Sequence, residues 1–144
     1  MSQIIFTDQM TGEEYNELRR LVGFHLLSQG QAERGLEHTT FLVTARDEGK
    51  IVGMGRVLFD YGYTAYIGDV FVHPQYQRMG IGTRIVKSLM KKTMDAAFEG
   101  DRIMFILGAA KGKEGFYEKL GFMKRPNEMS GYGMSVSMIK TANR

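Results

Sequence analysis

The chain has 144 residues, the size of one domain, with 43% hydrophobic and 24% charged residues and a net charge of +3 at neutral pH, a balance unlike that of disordered or fibrous chains. It contains no cysteine, which removes disulfides, thiolate metal sites and thiol nucleophiles together. No apolar run approaches the ~20 residues of a membrane span, and the opening "MSQIIFTDQM" lacks the basic and apolar regions of a signal peptide; the expectation is a cytoplasmic enzyme or binding protein.

"QIIFT" reads as a first strand. Thr11 follows as a helix cap, with Glu13 and Glu14 in the first turn where carboxylates suit the helix dipole. Tyr15, Leu18, Leu21 and Val22 recur at helical spacing and give that helix one buried face. Within "LLSQGQAERGLEH" the glycines Gly30 and Gly35 break the pattern, predicting a second helix that is short or irregular. From Thr39 the period changes to that of strands. Three runs separated by "DEGK" and "DYGY" predict an antiparallel meander.

A long helix begins near Gly80, with Ile81, Ile85, Val86, Leu89, Met90, Met94 and Ala97 as its apolar stripe and Lys87, Lys91 and Lys92 mainly on the other side. "RIMFILGA" is a nearly continuous apolar run of strand length, which predicts a central strand covered on both faces. Right-handed crossover makes it and "VFV" parallel or splayed neighbours. "EGFYEKLGF" then reads as a short helix stopped at Gly121, and "FMKR" and "YGMSVSM" as two closing strands. The prediction is one domain over residues 1–144, of α/β (α+β) class, with a mixed, mostly antiparallel sheet of six to seven strands flanked by helices. Basic residues are dense in "RIVKSLMKK" and "KGKEGFYEKLGFMKR", but acids and apolar residues interrupt both, so solvated helix faces explain them better than nucleic-acid binding.

The segment "HPQYQRMGIGTRIVKSLM", His73 to Met90, places two glycines at a strand-to-helix junction. The first amides of a helix have no intrahelical acceptor, and with the helix dipole they attract anions. A P-loop would need Gly-Lys-Ser/Thr here, but Thr83 and Arg84 follow Gly82. A dinucleotide fingerprint would need a third small residue where Ile85 stands. On the residues alone, a tight turn and a phosphate nest both remain open.

"VFVHPQYQRMGIGTRIVKSLM" resembles the cofactor motif of the GCN5-related N-acetyltransferases, Q/R-x-x-G-x-G/A, standing here as Gln77, Arg78, Met79, Gly80, Ile81 and Gly82. "GFYEKLGF", Gly115 to Phe122, is similar to the family's late helix and following strand. The predicted element order also matches that family over nearly the whole chain. The resemblance implies acetyl-coenzyme A as co-substrate and no metal, with its pyrophosphate on the amides of Gln77 to Gly82. It further implies that Phe71 and Val72 offer main-chain groups to the pantetheine arm, that Arg78 and Thr83 help hold phosphate, and that Lys111 or Lys113 reaches the adenosine 3′-phosphate. Ala110 departs from the pattern, because many members carry an asparagine there that contacts the cofactor.

The implied reaction is transfer of the acetyl group to an amine of a small molecule or peptide, by direct attack in a ternary complex. Val72 N–H is the expected oxyanion donor. Tyr117 stands at the family's general-acid position, and Asp69 is the candidate base, acting through water; His73 is a further candidate. The acceptor is expected between the first two helices and the strand turns, with Phe24, His25, Tyr61 and Tyr63 as lining residues. A second reading keeps the cofactor loop but makes the chain a catalytically silent acetyl-coenzyme A sensor or regulatory module. A homodimer through the last strands is compatible with either.

Overall fold

The meander forms because both of its turns carry the right backbone chemistry. The computed structural model describes residues 3–142. Strands β2 (Phe41–Asp47) and β3 (Lys50–Phe59) are joined by Glu48 and Gly49, both at positive φ (51° and 84°), as a two-residue hairpin turn of right-handed twist requires. Between β3 and β4 (Thr64–Val72), Asp60 Oδ1 accepts from the amides of Gly62 at 2.8 Å and Thr64 at 3.1 Å, a side chain standing in for a backbone turn. With β1 (Ile4–Thr7) and β5 (Met104–Ile106) these strands make one sheet in the order β1-β2-β3-β4-β5. Neighbours are antiparallel through β4, and β4 and β5 run parallel, the crossover expected from the sequence.

Helix α1 (Gly12–Leu21) starts with a complete capping box: Thr11 Oγ1 accepts from the Glu14 amide while Glu14 Oε1 accepts from the Thr11 amide. Its buried Tyr15 and Leu18 cluster with Ile51, Met54 and Phe71 of the sheet and with Ala32 of α2 (Gln29–Glu37). Burial of an aliphatic side chain such as Leu18 contributes roughly 2 kcal/mol. α2 is a regular helix despite Gly30 and Gly35, because Ser28 caps it and Ala32 anchors it in the core. Helix α3 (Ile81–Ala96) lies on the opposite face. Alternation along β3 turns Met54 and Arg56 toward α1 and Gly53 and Gly55 toward α3. A Cβ on Gly55 would stand 2.5 Å from Ile85 Cγ2 and 3.0 Å from Leu89 Cδ1, so the bare backbone sets how closely α3 packs.

The predicted stripe of α3 is buried at Ile81, Ile85, Val86 and Leu89, but Met94 is exposed and Thr93 takes the buried position instead. The Thr93 hydroxyl is satisfied by donating to the Leu89 carbonyl at 2.8 Å. β5 keeps only three residues of the long apolar run, with Met104 and Ile106 exposed. Among the described residues no sixth or seventh strand forms, so the sheet has five strands rather than six to seven. Tyr132, Met134, Val136 and Met138 do alternate as a strand would, yet all are exposed. Alternation supplies a strand face but no ladder of hydrogen bonds, which only a neighbouring backbone provides.

The chain divides into two compact units, one ending at Leu107 and one beginning at Gly108. The sheet and α1 to α3 belong to the first. The second carries helix α4 (Glu114–Glu118), after which Gly121 takes φ 99° and the Phe122 amide returns to the Tyr117 carbonyl at 3.1 Å. Among the described residues no helix is long and apolar enough to cross a membrane.

Candidate active site

Three features of the first unit converge on β4. The earliest in the chain is a bulge. Arg56 of β3 pairs with Gly68 and Met54 with Phe71, so the β4 segment from Gly68 to Phe71 is one residue longer than its partner. Asp69 takes up the excess at φ 53°, a conformation that aspartate tolerates better than most residues. Such a bulge re-aims a side chain, and here it is a carboxylate.

That carboxylate is the hub of a polar cluster. Asp69 Oδ2 accepts from Tyr15 Oη and, at 2.9 Å, from Arg56 Nε, while Oδ1 lies 3.5 Å from a terminal nitrogen of Arg19. Arg56 also donates to the Gly35 carbonyl at 3.2 Å and to Thr39 Oγ1 at 2.8 Å, tying β3 to the end of α2. Burial, reinforced by the bond to Asp69, pushes the Tyr15 phenol above its ordinary value. For Arg56, burial acts to lower the pKa, but Asp69 and Tyr15 outweigh it and the guanidinium is held more firmly charged. The cluster opens on a cavity of about 370 Å³ lined by Tyr15, Arg19, Leu27, Gln31, Gly35, Arg56, Leu58, Tyr66, Gly68 and Asp69.

The second feature is the free edge of β4. β5 pairs with it only over Thr64 to Tyr66, so among the described residues β3 is the only strand paired with it from Ile67 to Val72. The His73 amide donates to the Val52 carbonyl at 2.8 Å, and antiparallel geometry then points the peptide groups of the intervening Val72 away from β3. Gln77 Nε2 meets the Val72 carbonyl there at 3.1 Å. The Val72 N–H faces the same open edge.

The third is the loop that follows. His73 is buried and its Nδ1 accepts from the Gln75 amide at 3.1 Å, capping a single helical turn, Pro74–Tyr76. Arg78 takes φ 66° and Gly80 φ 80°. Gly80 is the N-cap of α3 and has no side chain to satisfy the first turn, so the amides of Ile81, Gly82 and Thr83 have no acceptor within the helix. Beside them runs a groove of about 420 Å³ lined by Gly80, Thr83, Arg84, Lys87, Ser88 and Lys91. The Arg84 guanidinium sits 4.1 Å above the Phe6 ring, a cation–π contact that fixes its stem against β1. Bare amides, a helix dipole and the cations Arg84 and Lys87 give this groove the chemistry that attracts an anion.

The family model described as "Acetyltransferase (GNAT) family" matches residues 6–122. The chain belongs to the GNAT acetyltransferase family. An uncharacterized N-acetyltransferase from Porphyra purpurea is 28% identical over 122 residues, covering 82% of this chain and 68% of that protein. A glucosamine 6-phosphate N-acetyltransferase from Schizosaccharomyces pombe is 37% identical over 71 residues, 49% of this chain and 60% of that one. Among solved structures, a probable acetyltransferase of unknown function from Staphylococcus aureus superposes with a TM-score of 0.84 at 31% identity, covering 94% of this chain and all of the other. Acyl transfer from acetyl-coenzyme A is the activity class of the GNAT family.

Within that frame the expected cofactor residues Gln77, Arg78, Met79, Gly80, Ile81, Gly82 and Thr83 form one continuous loop and helix start, at the end of the strand that carries Phe71 and Val72. Phe71 contributes its ring to the core and to a 5.0 Å contact with Phe24, whereas Val72 presents peptide groups to the open edge. Asp69 lines the cavity as a paired carboxylate. Tyr117 belongs to the second unit, where its ring packs edge-on against Phe116 and Phe122. Of the expected acceptor residues Phe24, His25, Tyr61 and Tyr63, none lines the cavity. The residues that do include Tyr15, Arg19 and Arg56, which sequence reasoning placed in a buried stripe or did not single out. The available signal was a tyrosine among aliphatic residues on a core-facing helix, and an arginine inside the apolar strand "IVGMGRVLF".

Proposed function

We propose that this acetyltransferase moves the acetyl group of acetyl-coenzyme A directly to an amine of a small molecule or peptide bound in the Asp69 cavity. The observation that carries this reading is the open edge of β4 ending at the side-chain-free N-terminus of α3. A pyrophosphate fits the amides of the loop from Gln77 to Gly82, with Arg78 and Thr83 beside it and the cations of α3 along the groove. The amide-rich pantetheine arm then adds to β4 as a partial strand. This brings the thioester to the upper part of β4, next to the cavity wall formed by Gly68 and Asp69.

The amine attacks the thioester carbonyl, and the developing oxyanion is met by Val72 N–H. The departing thiolate takes a proton from Tyr117, in the role that the family resemblance gives it. Asp69 works as a positioning residue: paired with Arg56 and Arg19, it orients the acceptor while water in the cavity carries off the amine proton. Replacing Tyr117 by Phe tests the assignment. Turnover should fall about 100-fold with acetyl-coenzyme A affinity held, measured by thiol release and calorimetry. Unchanged turnover removes Tyr117 from the mechanism, and a parent chain that binds the cofactor without acetylating any amine replaces the transferase by a cofactor-binding module.

A further inference from the structure

The charge in the Asp69 cavity does not balance. Two guanidiniums, Arg19 and Arg56, face one carboxylate, and no other residue lining the cavity bears a charge at neutral pH. All three are largely removed from solvent, with side chains 12%, 19% and 19% exposed for Arg19, Arg56 and Asp69. A cation held away from water without a counter-ion is costly, so the cavity as built favours an occupant that brings one negative charge.

The two arginines are not equivalent. Arg56 is consumed by structure, since its donors go to Asp69, Gly35 and Thr39. Arg19 makes one side-chain hydrogen bond, from Nε to the His25 carbonyl at 2.5 Å. Its terminal nitrogen lies 3.5 Å from Asp69 Oδ1, longer than a good hydrogen bond. Among the described residues its terminal N–H groups therefore have no hydrogen-bonded acceptor. Its Cζ lies 5.7 Å from the Tyr15 ring centroid and 5.8 Å from that of Phe24, so the fork is held by its stem and by ring contacts while its terminal N–H groups make no hydrogen bond among the described residues. A pre-positioned guanidinium with free paired donors is matched by a carboxylate or a phosphate.

We infer that the acceptor is a small primary amine carrying an anionic oxygen group, and that Arg19 binds that group as a specificity-determining residue. This rests on the transferase reading above and adds the acceptor's chemical class to it. Carboxylate and phosphate share the required fork of oxygens. Neutral arylalkylamines and polycationic amines are disfavoured, because they would leave or increase the excess positive charge.

The test uses the full chain and matched amine pairs: 4-aminobutyrate against butylamine, O-phosphoethanolamine against ethanolamine, and glucosamine 6-phosphate against glucosamine. In at least one pair the anionic member should have a kcat/KM about ten-fold or more higher, carried by KM. The pair that responds tells carboxylate from phosphate. Arg19→Gln should collapse the preference by raising KM for the anionic member alone, with kcat and calorimetric acetyl-coenzyme A affinity held, and Arg19→Lys should restore part of it. Equal or better use of the neutral members by the unaltered chain overturns the inference, as does a preference that survives Arg19→Gln. If no amine is acetylated, calorimetry of the same amines separates the two readings. Binding of anionic members that is lost in Arg19→Gln keeps the anion site and removes the transferase, and no binding of any anionic member removes the anion site.

Discussion

The loop at the start of α3 and the cavity around Asp69 are built on opposite principles. The loop is made of backbone from consecutive residues, Gln77 to Thr83, and needs its side chains mainly to stay out of the way. The cavity is made of side chains from α1, α2, β3 and β4, brought together across as many as 54 positions between Tyr15 and Asp69. A site of the first kind is insulated from changes elsewhere in the core, and a site of the second kind depends on each member separately.

Removing the hub should have the largest effect. Asp69→Ala leaves two mostly buried guanidiniums without a carboxylate, which should cost about 3 kcal/mol or more of stability in urea unfolding, while acetyl-coenzyme A affinity is kept. A parallel loss of cofactor affinity would show that the two regions are one. Gly80→Val strikes the other region. A β-branched residue at φ 80° should cost about 1–2 kcal/mol and abolish cofactor binding in calorimetry, with the binding of anionic amines unaffected; retained cofactor affinity would sink the loop assignment.

The smallest effect concerns how α1, a wall of the cavity, is fastened to the sheet. Arg46 reaches both oxygens of Glu14, at 2.6 and 2.9 Å, and this bond lowers the Glu14 pKa from 4.5 against the opposing effect of burial. A carboxylate whose folded value is depressed stabilises the fold above its unfolded value and loses that contribution as pH falls through the folded one. Stability should therefore decline below about pH 4.5, and Glu14→Gln should flatten that acid limb and cost about 1 kcal/mol at neutral pH. An acid limb unchanged in Glu14→Gln would place the sensitivity elsewhere.

The same difference governs what could be read in advance. Thr11 with Glu14 announced a helix start, "DEGK" and "DYGY" announced the meander, and Gly80 announced an anion-ready helix N-terminus, because each is decided within a few residues of itself. The Asp69 cluster was legible only as two oddities, a tyrosine on a core-facing helix and an arginine inside an apolar strand, with nothing local to say that they meet. Asp69 itself was singled out by the family resemblance, which places a carboxylate on the strand before the loop, but its partners depend on a bulge that no pattern of hydrophobicity marks. The closing strands failed for the complementary reason: "YGMSVSM" has the alternation of a strand, and alternation is silent about whether a backbone lies alongside.

Gly35 sits inside α2, lines the cavity and accepts from Arg56, and a Cβ added there would meet nothing within 4 Å. Glycine in a helix interior is about 1 kcal/mol less favourable than alanine, so a single methyl at this position should strengthen the helix without meeting a neighbour. The chain therefore leaves about 1 kcal/mol of helix stability unused at a position that borders the cavity.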